Sequence, residues 1–158
     1  MSDLTSEQRK QLRLAYDICI ASHKGQLDKQ GADYRLHPIM AAARLDDPAL
    51  KCAALLHDVL EDTDRSAADL LEFGVLPEIV ETVEAVTHQP DEDYPSYLAR
   101  VRENPWAVQV KIADLRDNLD ETRGPWPGRL ARQYRRALAY FGAWEEVQPG
   151  LEPGDSLD

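Results

Sequence analysis

Four polar side chains interrupt an apolar segment of this chain, residues 53–64, which reads AALLHDVLEDTD. They are His57, Asp58, Glu61 and Asp62. The surrounding Ala, Leu and Val residues are typical of a buried helix, on which residues four apart share a face. We therefore expect His57 beside Glu61, and Asp58 beside Asp62. Charges next to a core are costly unless something compensates them, and a bound cation would do so. The alternative is an ordinary solvated helix of an acidic protein.

Two further segments place candidate metal ligands in apolar helical surroundings. His37 precedes Pro38 at the start of a helix, and Asp114 lies within the sequence VKIADL. Together with His57 and Asp58 they offer two nitrogens and two carboxylates, with room left for water. This set suits manganese, iron or magnesium, with zinc as an alternative that more often has a closed four-coordinate shell.

Neighbouring residues supply the other groups that phosphoester hydrolysis needs. A divalent ion lowers the pKa of a bound water and makes hydroxide available near neutral pH. Glu61 and Asp62 could orient that water or take its proton. Asn118 follows Asp114 by four residues, so it shares its helix face and could contact a substrate. Lys111 could contact a phosphate oxygen, or it could cover the core with its aliphatic part.

The elements that must position these groups are all helical, because no alternating strand pattern is found. The fold class predicted is all-α, an irregular bundle of about six to eight helices joined by short loops. Residues 1–146 form one domain, and residues 147–158, which are acidic and rich in Pro and Gly, are expected to be a disordered tail. The predicted helices are Leu4–Ser22, one from His37, one from Pro48 through the central motif, a short one to Phe73, Pro77–His88, Tyr94–Glu103, Trp106 to about Thr122, and Arg129–Trp144.

The composition argues against two classes of binding partner. The net charge of −11 argues against binding nucleic acid polymers or anionic membranes. No apolar run approaches the length of a membrane span, and the N-terminus lacks a signal peptide core, so we expect a cytoplasmic protein. Cys19 and Cys52 are interpreted as reduced core residues. The basic face of the last helix is interpreted as a solvated surface or a subunit contact, so a homo-oligomer stays open.

The order His37, His57-Asp58 and Asp114 resembles the HD-domain metal phosphohydrolases. Several motifs, spread over residues 21–119, resemble the hydrolase domain of the RelA/SpoT group, which includes small stand-alone alarmone hydrolases. These motifs are HKGQ followed by YRLHP, then AALLHDVLEDT, Phe73-Gly74, Val86-Thr87 and VKIADLRDNL. The resemblance implies hydrolysis of the 3′ pyrophosphate of guanosine tetra- or pentaphosphate.

The resemblance also implies roles for individual residues. It gives His37, His57, Asp58 and Asp114 as ligands of a metal that is usually manganese. It implies that Glu61 and Asp62 are the catalytic acidic pair. Lys29 and Asn118 match residues of the family's substrate site. Lys111, His23 and Lys24 are further candidates for substrate contact, although His23 could equally make only a local hydrogen bond.

The chain departs from the family pattern near the presumed substrate site. The family usually has Arg where this chain has Asp28, Pro where it has Asp33, and Lys where it has His88. Arg116 and Asp117 replace a Leu and a His of the family. Asp28 would repel a polyphosphate if it faced the pocket. The main prediction is a small-nucleotide phosphohydrolase of the (p)ppGpp type. The alternatives are the same chemistry on another nucleotide, such as a monophosphate, or a regulatory module that binds metal and nucleotide without turnover.

Overall fold

The computed structural model describes residues 3–120, 122–123 and 127–143. The described part is helical, and its only β pairing is an isolated bridge between Leu27 and Asp33. The all-α prediction is therefore confirmed. The helices are α1 (Ser6–Ser22), α2 (Leu36–Ala43), α3 (Pro48–Leu56), α4 (Val59–Asp62), α5 (Ala67–Glu72), α6 (Pro77–Val86), α7 (Tyr94–Arg102), α8 (Pro105–Asn118) and α9 (Gly128–Tyr140).

Side chains just before the helices define where several of them begin. Thr5 and Gln8 form a capping box at the start of α1, and the Asp47 side chain accepts hydrogen bonds from the first turn of α3. Ser66 and Asp69 form a second capping box on α5, as their spacing predicts. These side chains satisfy backbone N–H groups that have no partner within the helix.

Helix α3 is the centre of the bundle. It packs against α1, α2, α6 and α8, and Ala53, Ala54 and Leu56 are fully buried. Alanine lets neighbouring helices approach closely, and the C-terminal part of α3, from Cys52 to Leu56, is buried throughout. Helix α8 also packs against α2. This arrangement brings Asp114 of α8, His37 of α2 and the end of α3 to one place.

The helix predicted to run through the central motif is interrupted at His57 and Asp58. The N–H of His57 is bonded to the Ala54 carbonyl three residues back, at 3.4 Å. Its side-chain Nδ1 donates to the same carbonyl at 2.5 Å. The helical hydrogen-bond pattern, from each N–H to the carbonyl four residues back, resumes with the bond from the Asp62 N–H to the Asp58 carbonyl at 3.0 Å. The predicted single helix was therefore wrong, because the imidazole occupies a carbonyl that a continuous helix would use.

Other helix ends differ by a few residues from those predicted. Helix α6 ends at Val86 and α8 ends at Asn118, both earlier than predicted. Both cysteines are buried and free, as predicted. Among the described residues, no helix has the length and apolar character needed to cross a membrane. The predicted tail at residues 147–158 lies outside the described residues.

Candidate metal centre and active site

Two buried imidazoles face the same point with the same nitrogen. His37 Nδ1 donates to the Asp117 carboxylate at 2.7 Å, and His57 Nδ1 donates to the Ala54 carbonyl at 2.5 Å. Both rings are buried, and their centroids are 5.1 Å apart. An acceptor at Nδ1 fixes the tautomer in which Nε2 presents its lone pair to a metal. The two Nε2 atoms are therefore the candidate ligand atoms.

Two carboxylates complete the cluster around these nitrogens. The Asp114 Oδ1 atom lies 2.8 Å from His37 Nε2 and 3.4 Å from His57 Nε2. The Asp58 Oδ2 atom lies 3.0 Å from His57 Nε2. One ligand atom from each of His37, His57 and Asp58 lies within 4.8 Å of the others. His57 Nε2 is buried and has no hydrogen-bond partner in the described part of the chain. A divalent cation fits this set, because it would occupy the space that this nitrogen faces.

The electrostatics of the cluster favour a cation. Burial alone would lower the pKa of His57, but the Asp58 and Asp114 carboxylates outweigh burial and raise it. Burial alone would raise the pKa of Asp114, but the Lys111 and His57 charges hold it well below its usual range. The pKa of Asp58 is lowered in the same way, mainly by His57. The carboxylates thus stay ionised, and the centre holds positive charge as protons or as a metal ion.

Helix α8 supports the cluster from one side. Lys111 Nζ donates to Asp114 Oδ2 at 2.8 Å, and Asn118 Nδ2 donates to Asp114 Oδ1 at 3.2 Å. Tyr34 supports it from the other side, because its hydroxyl donates to Asp58 Oδ2. Both carboxylates are therefore held by neighbouring side chains, which keeps their ligand atoms in place.

A cavity of about 450 Å³ opens over this cluster. A volume of this order is typical of small-molecule sites. The lining includes His37, Asp58 and Asp114 together with several aromatic side chains. Lys29, Lys111 and Asn118 line the cavity as well, so three of the five predicted substrate contacts lie there. The remaining lining residues are Leu27, Asp28, Tyr34, Glu61, Asp62, His88, Tyr94, Tyr97, Arg123, Gln133 and Tyr134.

The predicted acidic pair lies at this cavity although the helix is interrupted. Glu61 Oε1 accepts a hydrogen bond from the backbone N–H of His88 at 2.6 Å. The Asp62 backbone carbonyl accepts one from Gln26 Nε2 at 3.1 Å. Partial removal from water, together with the nearby Asp58 charge, raises the pKa of both carboxyls. A raised pKa moves a carboxyl towards the range in which it can exchange protons near neutral pH.

Two predicted substrate residues do not line the cavity. His23 is fully buried, and its Nδ1 pairs with Gln26 Oε1 at 2.9 Å. Lys24 follows it at the exposed end of α1. The local hydrogen bond that was left open for His23 is present, and a substrate contact by either residue stays a prediction.

The sequence did not identify Tyr34 and Asp117, which contact the cluster, or Arg123, which contacts Asp117. Tyr34 was noted only as part of a motif, and Asp117 only as a departure from the family. Arg123 was not noted at all. Asp117 follows Asp114 by three residues and therefore shares its helix face, which was an available signal. Arg123 and Asp28 are joined by an ion pair at 3.1 Å across a long stretch of sequence, and no local pattern indicates such a contact.

Comparisons with known proteins bear on this arrangement. No family model matches the sequence. The chain is 29% identical over 126 residues to the guanosine-3′,5′-bis(diphosphate) 3′-pyrophosphohydrolase of Aquifex aeolicus, covering 72% of this chain and 18% of that protein. It is 29% identical over 155 residues to the bifunctional (p)ppGpp synthase/hydrolase SpoT of Escherichia coli, covering 87% of this chain and 22% of SpoT. It is 40% identical over 112 residues to the corresponding pyrophosphohydrolase of Spiroplasma citri, covering 68% of this chain and 13% of that protein. The chain thus spans about a fifth or less of these relatives.

The fold has a counterpart among solved structures. The structure of a metazoan ortholog of SpoT that hydrolyzes ppGpp superposes with a TM-score of 0.65 and 24% identity, covering 94% of this chain and 91% of that one. The helical arrangement is therefore that of a known domain. Together with the sequence matches, it confirms that the chain is related to the RelA/SpoT-type (p)ppGpp hydrolases that its motifs resemble.

Proposed function

We propose that this chain is a metal-dependent phosphohydrolase that removes the 3′ pyrophosphate of guanosine 3′,5′-bis(diphosphate). The observation that carries the proposal is the convergence of two Nε2 atoms with the Asp58 and Asp114 carboxylates at one wall of a nucleotide-sized cavity. The names of the sequence relatives support the substrate. The proposed ligands are His37, His57, Asp58 and Asp114. Two nitrogen and two oxygen donors suit manganese, iron or magnesium, and the resemblance of the motifs favours manganese.

Besides the ligands, five residues of the cavity have proposed roles in this reaction. A divalent ion held by the four ligands would act as a Lewis acid and would lower the pKa of a water molecule bound to it. Glu61 and Asp62 orient the attacking water and accept its proton. Lys111 holds Asp114 and places a positive charge near the phosphate that is attacked. Lys29 and Asn118 bind the nucleotide from the cavity wall.

The test is pyrophosphate release from guanosine 3′,5′-bis(diphosphate) by the purified protein with added Mn²⁺. We expect release by the wild type, and we expect Asp58→Ala to lose both Mn²⁺ binding and release. No release by a wild-type protein that binds Mn²⁺ would contradict the substrate, and the search would move to nucleoside monophosphates. Full release by Asp58→Ala would contradict the site itself.

A second variant separates metal binding from proton transfer. Glu61→Gln keeps an oxygen that can accept from the His88 N–H, so the local structure should persist. We expect Glu61→Gln to bind Mn²⁺ normally and to lose about 100-fold or more in turnover, the usual contribution of general base catalysis. Full activity of this variant would show that Glu61 does not handle the proton.

A further inference from the structure

Arg123 contacts three side chains with three different nitrogens. Its Nη1 donates to Asp28 Oδ2 at 3.1 Å, and its Nη2 donates to Asn118 Oδ1 at 3.4 Å. Its Nε lies 3.5 Å from Asp117 Oδ2. The Arg123 side chain is 10% exposed, so these ionic contacts are largely shielded from solvent. A rigid planar guanidinium is suited to holding several acceptors in a fixed arrangement.

On one side, Arg123 holds the loop between α1 and α2. The two oxygens of Asp28 have separate functions there. Oδ1 accepts from the backbone N–H groups of Gln30 and Ala32, both at 2.9 Å, and closes the turn. Oδ2 accepts from Arg123. The turn also carries Lys29, which lines the cavity. Arg123 therefore connects this cavity wall to Asp117 and Asn118 of α8.

On the other side, Arg123 reaches the candidate metal centre through one residue. The same Asp117 oxygen that faces Arg123 accepts from His37 Nδ1 at 2.7 Å. His37 Nε2 in turn lies 2.8 Å from Asp114 Oδ1. A continuous set of polar contacts thus joins Asp28, Arg123, Asp117 and His37.

We propose that Arg123 is a positioning residue that couples the order of residues 27–33 to metal affinity. The inference rests on the proposed function only in taking His37 as a metal ligand. Metal binding fixes the His37 ring, which fixes Asp117 and, through Arg123, the Asp28 turn. Such coupling is reciprocal, so an ordered loop must raise metal affinity by the factor by which the metal orders the loop.

The variant Asp28→Asn breaks this connection selectively. Its amide oxygen can still accept from the Gln30 and Ala32 N–H groups, whereas its NH₂ group cannot accept from Arg123. The probe is Mn²⁺ alone, with affinity measured by electron paramagnetic resonance and backbone exchange of residues 27–33 measured by hydrogen–deuterium exchange. We expect the Mn²⁺ affinity to fall about fivefold, the lower end of usual coupling factors. We also expect Mn²⁺ to slow loop exchange in the wild type but not in Asp28→Asn.

Asp33→Asn is the matched control. It removes a carboxylate from the end of the same loop, but that carboxylate pairs with Arg35 rather than with Arg123. Arg123→Gln breaks the same connection from the arginine side. The double variant with Asp28→Asn completes a thermodynamic cycle. Because both changes break one connection, the double variant should bind Mn²⁺ no more weakly than Arg123→Gln alone.

Wild-type Mn²⁺ affinity and wild-type loop protection in both Asp28→Asn and Arg123→Gln would overturn the inference. An equal loss in Asp33→Asn would also overturn it, since any charge removed from the loop would then have the same effect. None of these measurements uses a nucleotide. Failure to release pyrophosphate would therefore contradict the proposed substrate without touching this result.

Discussion

Asp117 should control Mn²⁺ affinity although it is not a predicted ligand. Its carboxylate is 2% exposed and accepts from His37 Nδ1 at 2.7 Å. Replacing it with Asn leaves an oxygen acceptor for His37 but removes the negative charge. The imidazole then becomes a weaker donor to the metal, because a carboxylate partner makes the ring more basic.

The size of the effect follows from the change in this hydrogen bond. A bond to a charged group contributes about 1.5–3 kcal/mol and a neutral one about 0.5–1.5 kcal/mol. This bond is present without metal as well, so only the part of the difference of about 1–1.5 kcal/mol that appears when the ring binds a metal enters the affinity. We expect the Kd to rise about tenfold, the lower end of the loss that is usual when such a partner of a ligating His is changed. Asp117 also lies 3.8 Å from Arg44 Nε and 3.5 Å from Arg123 Nε. Losing its charge removes one of the two carboxylates that pair with each of these cations. This lowers stability in both the metal-free and the metal-loaded protein and so largely cancels from the affinity.

The assay is a Mn²⁺ titration of Asp117→Asn beside Asp120→Asn. Asp120 accepts from Arg44 Nη2 at 2.7 Å, so both variants remove a negative charge beside Arg44, whereas only Asp117 contacts His37. We expect both variants to lose thermal stability and only Asp117→Asn to lose affinity. Equal affinities in the two variants would refute the reasoning that the His37 contact tunes the metal centre.

Two further predictions concern stability away from the cavity. The hydrogen bonds from Arg100 lower the pKa of Glu92 from 4.5 to about 2, so the stabilisation is complete above pH 4.5 and is lost as the pH falls towards 2. The difference in Tm between the wild type and Glu92→Gln should therefore shrink between pH 7 and pH 3, and a constant difference would contradict this pairing. Leu56 is fully buried in α3, so Leu56→Ala should cost about 2–5 kcal/mol in denaturant unfolding. Leu71, which is 47% exposed, provides a control whose substitution by Ala should cost at most about 0.5 kcal/mol.

The helices were predictable because their signals are local. Pro48, Pro77 and Pro105 each lie in the first turn of a helix, where the missing N–H costs nothing. The apolar run that begins at Ala53 correctly marked a buried helix, α3. The break at His57 could not be predicted in the same way. It depends on which carbonyl the imidazole binds, and that depends on how the ring is packed.

The candidate ligands could be predicted from the sequence, but the contacts that support them could not. His37, His57, Asp58 and Asp114 could be listed from the sequence because each is polar within an apolar helical segment. Their supporting contacts could not, because they depend on the relative rotation of packed helices. Asp117 meets His37 only because α8 lies against α2, and Tyr34 meets Asp58 only because the loop folds back over the end of α3.

Asp28 shows why a single departure from a family pattern can mislead. The sequence indicated that an acidic residue there would repel a polyphosphate if it faced the cavity. Asp28 does line the cavity, but its carboxylate is paired with Arg123 and is 6% exposed. Its charge is therefore compensated within the wall, and the pair presents no net charge to a ligand. The departure at Asp28 thus counts against the substrate less than the sequence suggested.

The charge of the cavity lining favours a cation in the proposed metal centre. Among the described residues, the lining includes five carboxylates and three Lys or Arg side chains, a net charge of −2 when the imidazoles are neutral. The carboxylates are Asp28, Asp58, Glu61, Asp62 and Asp114, and the cations are Lys29, Lys111 and Arg123. Positive charge in the centre, either as protons on His37 and His57 or as one divalent ion, brings the lining towards neutrality. A divalent ion would be the largest local charge. The carboxylates of the lining therefore favour the cation of the proposed centre, and that cation in turn favours an anionic substrate.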